Sequence, residues 1–548
     1  KSVGSYPVHL NEMRAIISTI VQFKRVLDNK GNSLPDSESG DTEIDDFFDE
    51  PTGLGFLETD IATDETGSKP DVIESTPISL PDAKEASAPA SFATPLEEST
   101  KGSLSASIFK AYDIRGIAGK TLTKEIIFNI GRAIASEAKE QSIKTIVLGR
   151  DGRTSSSALA ESLAKGIIST GVNVLDIGLV PSPVVYFVTH HTEGRSGVVI
   201  TGSHNPAEYN GVKMIIKGVT LSGDKIQQLK QRVDSENYLT GETGSIEKNT
   251  MFTNEYIGTL SEDIHMARPM KVVVDCGNGA AGELAPILLK TLGCEVIELF
   301  CDIDGTFPNH HPDPSKPENL NDLITAVKHY EADVGIAFDG DGDRLGVIDA
   351  KGKIIWPDRQ MMLFAKDVLA LKPGSEVIYD VKCSRHLNDQ IVKSGGRPIM
   401  SKTGHSFMKA KIKETGAALA GEMSGHIFFN DRWFGFDDAL YSASRLIEIL
   451  SADTRPSDEV FADYPDSFNT PEINIDLPEG ENISFMEQLF STANFADGKI
   501  INIDGMRVEY ADGWGLVRAS NTMPVLVLRF EADSKEALQR IQAEFKAL

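Results

Sequence analysis

The 548-residue sequence predicts an α/β protein: three similar α/β domains with mixed sheets covered by helices, then a smaller C-terminal α+β domain, preceded by an acidic disordered N-terminal segment. Two observations carry this expectation. A strand, turn, helix, strand unit of roughly 25 to 35 residues recurs three times, the pattern of parallel strands joined by helical crossovers. At about 100 to 200 residues per domain, the length also accommodates several domains with cores of their own.

Residues 1–104 form the first expected region. Within it, 11–27 places Met13, Ile16, Ile17, Ile20, Val21 and Phe23 near helical spacing, which predicts a short helix. From Lys30 to Gly102 the composition turns to Asp, Glu, Ser, Thr and Pro with few aromatics. Such a segment buries too little apolar surface to offset its ordering entropy, so it is expected to be a disordered tether. Domain I, residues 105–250, has a strand at 145–148, a helix at 157–170 and a strand at 172–177. Domain II, 251–352, repeats this with a strand at 272–274, a helix ending near 292 and a strand at 294–299. Domain III, 353–465, repeats it again over 377–399. Domain IV, 466–548, shows short strands at 473–477, 500–503, 506–510 and 525–530, then a closing helix at 534–545.

The net charge of −27 and pI near 4.9 argue against a nucleic-acid partner, because phosphate backbones are bound through clustered Lys and Arg. Cys276, Cys294, Cys301 and Cys383 have no CxxC spacing, which reads as reduced thiols rather than a zinc site or a disulfide framework. No apolar run approaches the roughly 20 residues of a membrane span. The expectation is therefore a soluble, cytoplasmic chain; a monomer is expected as well. The sequence opens on Lys1 rather than Met, which reads as a piece of a longer product, with any upstream membrane anchor outside it.

Four stretches carry chemistry. The apolar run 198–200 ends in Thr201-Gly202-Ser203-His204-Asn205-Pro206, a strand delivering the Ser203 hydroxyl into a tight loop. Gly202 is expected to supply the unusual backbone angles there, and Pro206 to stiffen the exit. A second apolar strand, 334–338, runs into Asp339-Gly340-Asp341-Gly342-Asp343-Arg344. On extended chain these carboxylates, at i, i+2 and i+4, point to one side and suit Mg²⁺. A calcium loop is excluded because Arg344 stands where Gly is needed and Ala350 where Glu is needed. Glu422-Met423-Ser424-Gly425-His426 places a carboxylate, a hydroxyl and an imidazole on one turn, a set that binds vicinal sugar hydroxyls. Arg518-Ala519-Ser520-Asn521-Thr522 offers a guanidinium fork, hydroxyls and an amide to phosphate. Tyr112, Arg115, Lys213, Lys382 and His405 sit in further loop clusters. Taken singly, each stretch also fits an ordinary solvated loop.

The ordered set, one motif per domain over about residues 107 to 548, resembles the α-D-phosphohexomutase superfamily, and most of all its bacterial phosphomannomutase/phosphoglucomutase branch. Met423 and the Thr-Gly before Ser203 favour that branch over the phosphoglucosamine mutases, which usually carry Gln in the sugar loop. The resemblance implies that Ser203 is carried as phosphoserine, with Asp339, Asp341, Asp343 and a phosphate oxygen around Mg²⁺. It implies reversible interconversion of hexose 6-phosphate and hexose 1-phosphate, mannose and glucose alike, through a hexose 1,6-bisphosphate that reorients in a central cleft. Arg518, Ser520, Asn521 and Thr522, helped by Lys382 and Tyr112, would hold the distal phosphate, while Glu422 and Ser424 grip O3 and O4. Arg115, Lys213 and Arg344 match family positions near the phosphoserine, and His405 and His426 match positions in the cleft. The general base stays open: His204 adjoins Ser203, but neighbours on extended chain face opposite ways. The implied partner is a phosphosugar and the implied role is supply of surface-polysaccharide precursors. A phosphoglucosamine mutase, a phosphatase working through phosphoserine and a catalytically silent scaffold are the alternatives.

Overall fold

Runs of Val, Ile and Leu between polar turns set the strands, and in domain I these build one mixed sheet. The computed structural model describes residues 106–478, 480–520 and 524–547. The helix expected at 11–27, the disordered tether, and Asn521 and Thr522 lie outside the described residues. The domain I strands are β1 (Ile114–Ile117), β2 (Thr145–Arg150), β3 (Asn173–Leu179), β4 (Gly197–Ile200), β5 (Tyr209–Ile216), β6 (Val219–Thr220) and β7 (Ile246–Lys248). Their order is β1-β5-β4-β2-β3-β7, with β6 beside β5. β2 pairs in parallel with β3 and β4, whereas β4 pairs antiparallel with β5. The helix Lys124–Glu140 starts where the Thr123 hydroxyl accepts from Ile126 N, and packs beside the helix Ser156–Ile168.

Domain II repeats the plan with β8 (Lys271–Asp275), β9 (Glu295–Leu299), β10 (Val334–Phe338), β11 (Leu345–Asp349) and β12 (Ile354–Ile355), ordered β12-β11-β10-β8-β9. Domain III holds β13 (Glu376–Asp380), β14 (Arg397–Ser401), β15 (Leu419–Gly421) and β16 (Ile427–Phe429), ordered β14-β13-β15-β16. In each of the three sheets a parallel strand is followed by an antiparallel partner: β4 by β5, β10 by β11, β15 by β16.

The last domain is antiparallel throughout: β17 (Phe468–Asn469), β18 (Ile473–Asp476), β19 (Lys499–Ile501), β20 (Met506–Tyr510), β21 (Gly513–Ala519) and β22 (Val525–Ala532), closed by the helix Lys535–Lys546. The helix Glu481–Thr492 and the strand β21 were not expected from the sequence. β21 reads Gly-Trp-Gly-Leu-Val-Arg-Ala; its glycines suppress the strand signal, and tertiary burial of Trp514 and Leu516 outweighs them.

One apolar core joins the first three domains, through residues such as Phe187, Tyr256, Trp433 and Tyr441, whereas domain IV has a core of its own. Domain IV attaches through Trp514 and Leu516 against Val381. Buried Arg507 adds two hydrogen bonds, from Nη1 to Val381 O at 2.6 Å and to Cys383 O at 2.8 Å.

Candidate active site

All four motifs occupy the same place in their sheets, the turn end of a hairpin, the fourth beginning within its first strand. Ser203 lies between β4 and β5, Asp339 to Asp343 between β10 and β11, Glu422 to His426 around the β15–β16 turn, and Arg518 to Ser520 where β21 leads to β22. Hydrogen bonds tie the domains together around these loops. Ser182 N donates to Asp341 O at 2.9 Å, and Leu345 N donates to Gly425 O at 3.0 Å. Thr403 N donates to Asp504 Oδ2 at 3.0 Å, linking domains III and IV. One cavity of about 620 Å³ results, with walls from all four domains, and the described loop residues predicted from the sequence line it except the three aspartates.

Ser203 is buried and its hydroxyl donates to Asp339 Oδ2 at 2.9 Å. The left-handed conformation expected of Gly202 falls on Ser203 itself, with φ +47°. Gly202 serves a different purpose, since a Cβ there would lie 2.2 Å from Arg153 Nε. That guanidinium holds the loop from beneath: Nη2 donates to Ser203 O and Asn205 O, each at 2.6 Å, and Nη1 to Pro206 O at 2.5 Å and Tyr209 O at 3.1 Å. Asp151 completes the support by accepting from Gly202 N at 2.9 Å. Because Ser203 is not extended, its neighbour does not face away. His204 Nδ1 comes within 3.2 Å of Ser203 Oγ, a correction to the strand geometry expected from the sequence. Burial, with Arg344 and Arg115 nearby, holds the His204 imidazole well below its ordinary pKa.

The aspartate loop is likewise a turn rather than extended chain, with Gly342 at φ +73°. Asp339 Oδ1 accepts from Asp343 N at 3.0 Å and Arg344 N at 3.1 Å, curling the loop so that the three carboxylates converge. They are fully buried behind Ser203 instead of forming the cavity wall. Lys213 Nζ donates to Asp341 at 2.6 Å and to Asp343, and Ser182 Oγ donates to Asp341 at 2.5 Å. Burial, then Asp343 and Asp341, push the Asp339 carboxyl well above the usual carboxylate range. Against the cost of its own burial, Asp341 is held below that range by Lys213. Asp341 Oδ1 and Asp343 Oδ1 are buried with no hydrogen-bond partner among the described residues, and one oxygen from each of the three aspartates lies within 4.8 Å of the others. An all-oxygen donor set with two unsatisfied atoms fits a hard divalent cation.

Gly340 is where the two loops meet: a Cβ there would lie 2.4 Å from Ser203 O. Gly340→Ala is expected to destabilise the protein by about 1–3 kcal/mol, because backbone atoms must shift to admit the methyl group. A urea unfolding midpoint that does not move would contradict that contact.

Around the cavity, Arg344 Nε donates to His426 Nε2 at 3.1 Å, which leaves the ring proton on Nδ1, 3.4 Å from Asp437 Oδ2. His405 stacks 5.6 Å from His426 and edge-on 5.0 Å from Tyr112; burial and Lys409 keep its imidazole well below the ordinary pKa. Burial pushes the Tyr112 phenol up to about 12. Arg115 is paired with Asp113 and donates to Asn205 Oδ1 at 3.2 Å. Glu422 is buried and accepts from Gly404 N, while the Ser424 hydroxyl is buried without a hydrogen-bond partner among the described residues. Two of the expected phosphate ligands are already engaged: Lys382 with Glu472, and Arg518 Nε with Asp504 Oδ2 at 2.9 Å. Arg518 Nη2 nevertheless remains buried and unpaired among the described residues, and Ser520 lines the same cavity. Sequence reasoning missed Arg153, Asp151, Ser182 and Asp437. The Asp-Gly-Arg of the first repeat contains two of them, but nothing local shows that they serve a loop 50 residues on.

Four family models cover the described chain in order: phosphoglucomutase/phosphomannomutase α/β/α domain I at residues 106–239, domain II at 254–352, domain III at 356–468 and the C-terminal domain at 472–548. A phosphomannomutase/phosphoglucomutase of Pseudomonas aeruginosa is 55% identical over 443 residues, 81% of this chain and 95% of that protein. A phosphoglucomutase of Neisseria meningitidis is 54% identical over 443 residues, covering 80% and 96%. Among solved structures, a phosphoglucomutase/phosphomannomutase family protein from Burkholderia thailandensis superimposes with a TM-score of 0.77 at 50% identity, covering 81% of this chain and 97% of that one. With the four loops converging as described, the chain belongs to the phosphoglucomutase/phosphomannomutase family of the α-D-phosphohexomutase superfamily.

Proposed function

We propose that the protein interconverts hexose 6-phosphate and hexose 1-phosphate, accepting both mannose and glucose, through a phosphoserine at Ser203. The observation that carries this is one cavity with the Ser203 hydroxyl, bonded to Asp339, on one side and Arg518, whose Nη2 is unpaired among the described residues, on the other. A hydrolase needs only the first of these; a mutase must also hold the phosphate that is not reacting.

In this reading the phosphorus–oxygen bond to Ser203 Oγ breaks and a new one forms to the free sugar hydroxyl, whose proton ends on the released Ser203 Oγ. The resulting hexose 1,6-bisphosphate turns over, and its other phosphate returns to Ser203. Asp339, Asp341 and Asp343 would hold Mg²⁺, which would supply positive charge to neutralise the leaving phosphoryl group. Arg344 and Arg115 flank the serine loop and stabilise the transferring group, and Lys213 is ion-paired with Asp341 and Asp343. Arg518 and Ser520, with Asn521, Thr522, Lys382 and Tyr112, grip the distal phosphate; Lys382 must exchange its Glu472 partner for phosphate to do so. Glu422 and Ser424 face hydroxyls common to both sugar orientations, and His405 and His426 line the same space. Glucose and mannose differ at C2, so a grip on O3 and O4 admits both.

No helix among the described residues is long and apolar enough to cross a membrane. We place the enzyme in the cytoplasm, as a monomer supplying hexose 1-phosphate for nucleotide-sugar synthesis. A coupled assay comparing mannose 1-phosphate, glucose 1-phosphate and glucosamine 1-phosphate tests the function. Comparable turnover of the first two and weak turnover of the third is expected, whereas release of inorganic phosphate without isomerisation would contradict it. Chelation of divalent ions should abolish turnover and added Mg²⁺ restore it; activity that persists after exhaustive chelation would reject the role given to the aspartates.

A further inference from the structure

Asp437 is fully buried and takes no part in the mechanism above, yet it faces both imidazoles of the catalytic cavity. Its backbone is pinned on either side. Asp437 bridges to Phe428 in β16, and Asp438 N donates to Ile427 O at 3.2 Å. The Asp438 carboxylate caps the helix Ala439–Ala452 by accepting from Tyr441 N at 2.9 Å. Because Ile427 and Phe428 follow His426 directly, the carboxylate of Asp437 and the imidazole of His426 are held on neighbouring, mutually bonded backbone. Asp437 Oδ1 accepts from Lys409 Nζ at 2.7 Å, which gives the buried carboxylate its counter-charge. Oδ2 lies 3.4 Å from His426 Nδ1 and 3.5 Å from His405 Nδ1, whose rings stack 5.6 Å apart.

Asp437, His426 and Asp343 each bring one atom within 4.8 Å of the others. His426 Nδ1, Asp437 Oδ2 and Asp343 Oδ1 are buried there with no hydrogen-bond partner among the described residues. Such a trio holds either a cation or a proton, and Arg344 decides which. A guanidinium only donates, so Arg344 Nε, 3.1 Å from His426 Nε2, requires the ring's lone pair to be on Nε2. The neutral ring then carries its proton on Nδ1, where it is a donor and not a metal ligand. Two carboxylate oxygens compete for that proton. Asp343 Oδ1, at 3.6 Å, belongs to the aspartate loop proposed to hold Mg²⁺, and Asp437 Oδ2 is the nearer.

We infer that Asp437 is a positioning residue for phosphoryl transfer: through His426 it aims the Arg344 guanidinium into the catalytic cavity. Carboxylate, imidazole and guanidinium form one line from Asp437 Oδ2 to His426 Nδ1 and from His426 Nε2 to Arg344 Nε. The anion selects the tautomer and turns the ring, and the ring's lone pair fixes Arg344, which lines the cavity. The first link is long in the unliganded protein, as catalytic contacts commonly are before substrate closes them. The inference rests on the mutase reading above, in which Arg344 stabilises the transferring group.

Asp437→Asn tests it. Lys409 holds the amide oxygen on its own side, so the amide NH₂ faces the imidazole. A donor there favours the ring with its proton on Nε2, which turns Arg344 away. Turnover (kcat) should fall about 10²-fold or more, the scale for a lost transition-state donor, with KM changed less than about threefold. Lys409→Met, which removes the counter-charge and keeps the carboxylate, should cost kcat much less. Long-range ¹H–¹⁵N spectra of histidine-labelled protein, with the His426 signal identified by its loss in His426→Gln, read the ring directly. The Nδ1–H tautomer is expected in the unmodified chain and its loss in Asp437→Asn. Normal turnover of Asp437→Asn, an equal loss in Lys409→Met, or a His426 proton on Nε2 in the unmodified chain would each overturn the proposal. An unmodified chain without mutase activity would reject the mutase reading instead, and the ring spectra would still decide whether Asp437 orients His426.

Discussion

Ser203→Ala is expected to lower hexose-phosphate interconversion by at least about 10³-fold, in line with removal of other enzymic nucleophiles. The same substitution should leave the unfolding midpoint almost unchanged. The deleted oxygen makes one short contact, to Asp339 Oδ2 at 2.9 Å, and a longer one to His204 Nδ1 at 3.2 Å, while the loop itself is held through its backbone. Thr201 Oγ1 accepts from Ser203 N at 2.7 Å, and Arg153 holds the carbonyls of Ser203 and Asn205. Separation of activity from stability is therefore the signature sought. Turnover near that of the unmodified protein would reject the role of Ser203 outright.

Arg153→Met should produce the opposite pattern, with stability and activity lost together. The guanidinium is 3% exposed and satisfies four carbonyl oxygens of the serine loop, and its partner Asp151 is 2% exposed. Removing one member of such a pair leaves buried acceptors and a carboxylate without their counter-charge, a loss of about 3–5 kcal/mol. Arg153→Lys is not a rescue, because an ammonium lacks the planar fork that reaches four acceptors at once. Calorimetry should find both variants destabilised, and both should fall in kcat more than in KM. A lysine variant with normal turnover would mean that the loop does not depend on that fork.

The fold was legible where local residue chemistry and final geometry agree. Aliphatic runs such as 146–148, 272–274 and 334–338 became central strands, and each hydroxyl, carboxylate or guanidinium motif proved to lie at the turn end of a hairpin. What the sequence did not show is long-range. Ser182 reaches Asp341 across 159 positions and Lys382 meets Glu472 across 90, pairings that no local pattern encodes. Backbone conformation misled as well. A Gly beside a Ser invites the assumption that the Gly bends, yet it is Ser203 that takes the left-handed angle, while Gly202 is needed because Arg153 fills the space a Cβ there would occupy. That single reversal brings His204 to the serine hydroxyl. The aspartates converge by the same kind of effect, through a turn capped by Asp339 rather than through alternation along a strand.

The account rests on one phosphoryl group passing between Ser203 and either end of a hexose. Its most direct test charges the enzyme with hexose 1,6-bisphosphate carrying labelled phosphorus, maps the label, and then discharges it onto unlabelled glucose 1-phosphate. The account predicts label on the peptide containing Ser203 and, after discharge, in both the 1- and 6-phosphates of the sugar pool. Label on any other residue, or its quantitative appearance as inorganic phosphate, would contradict it.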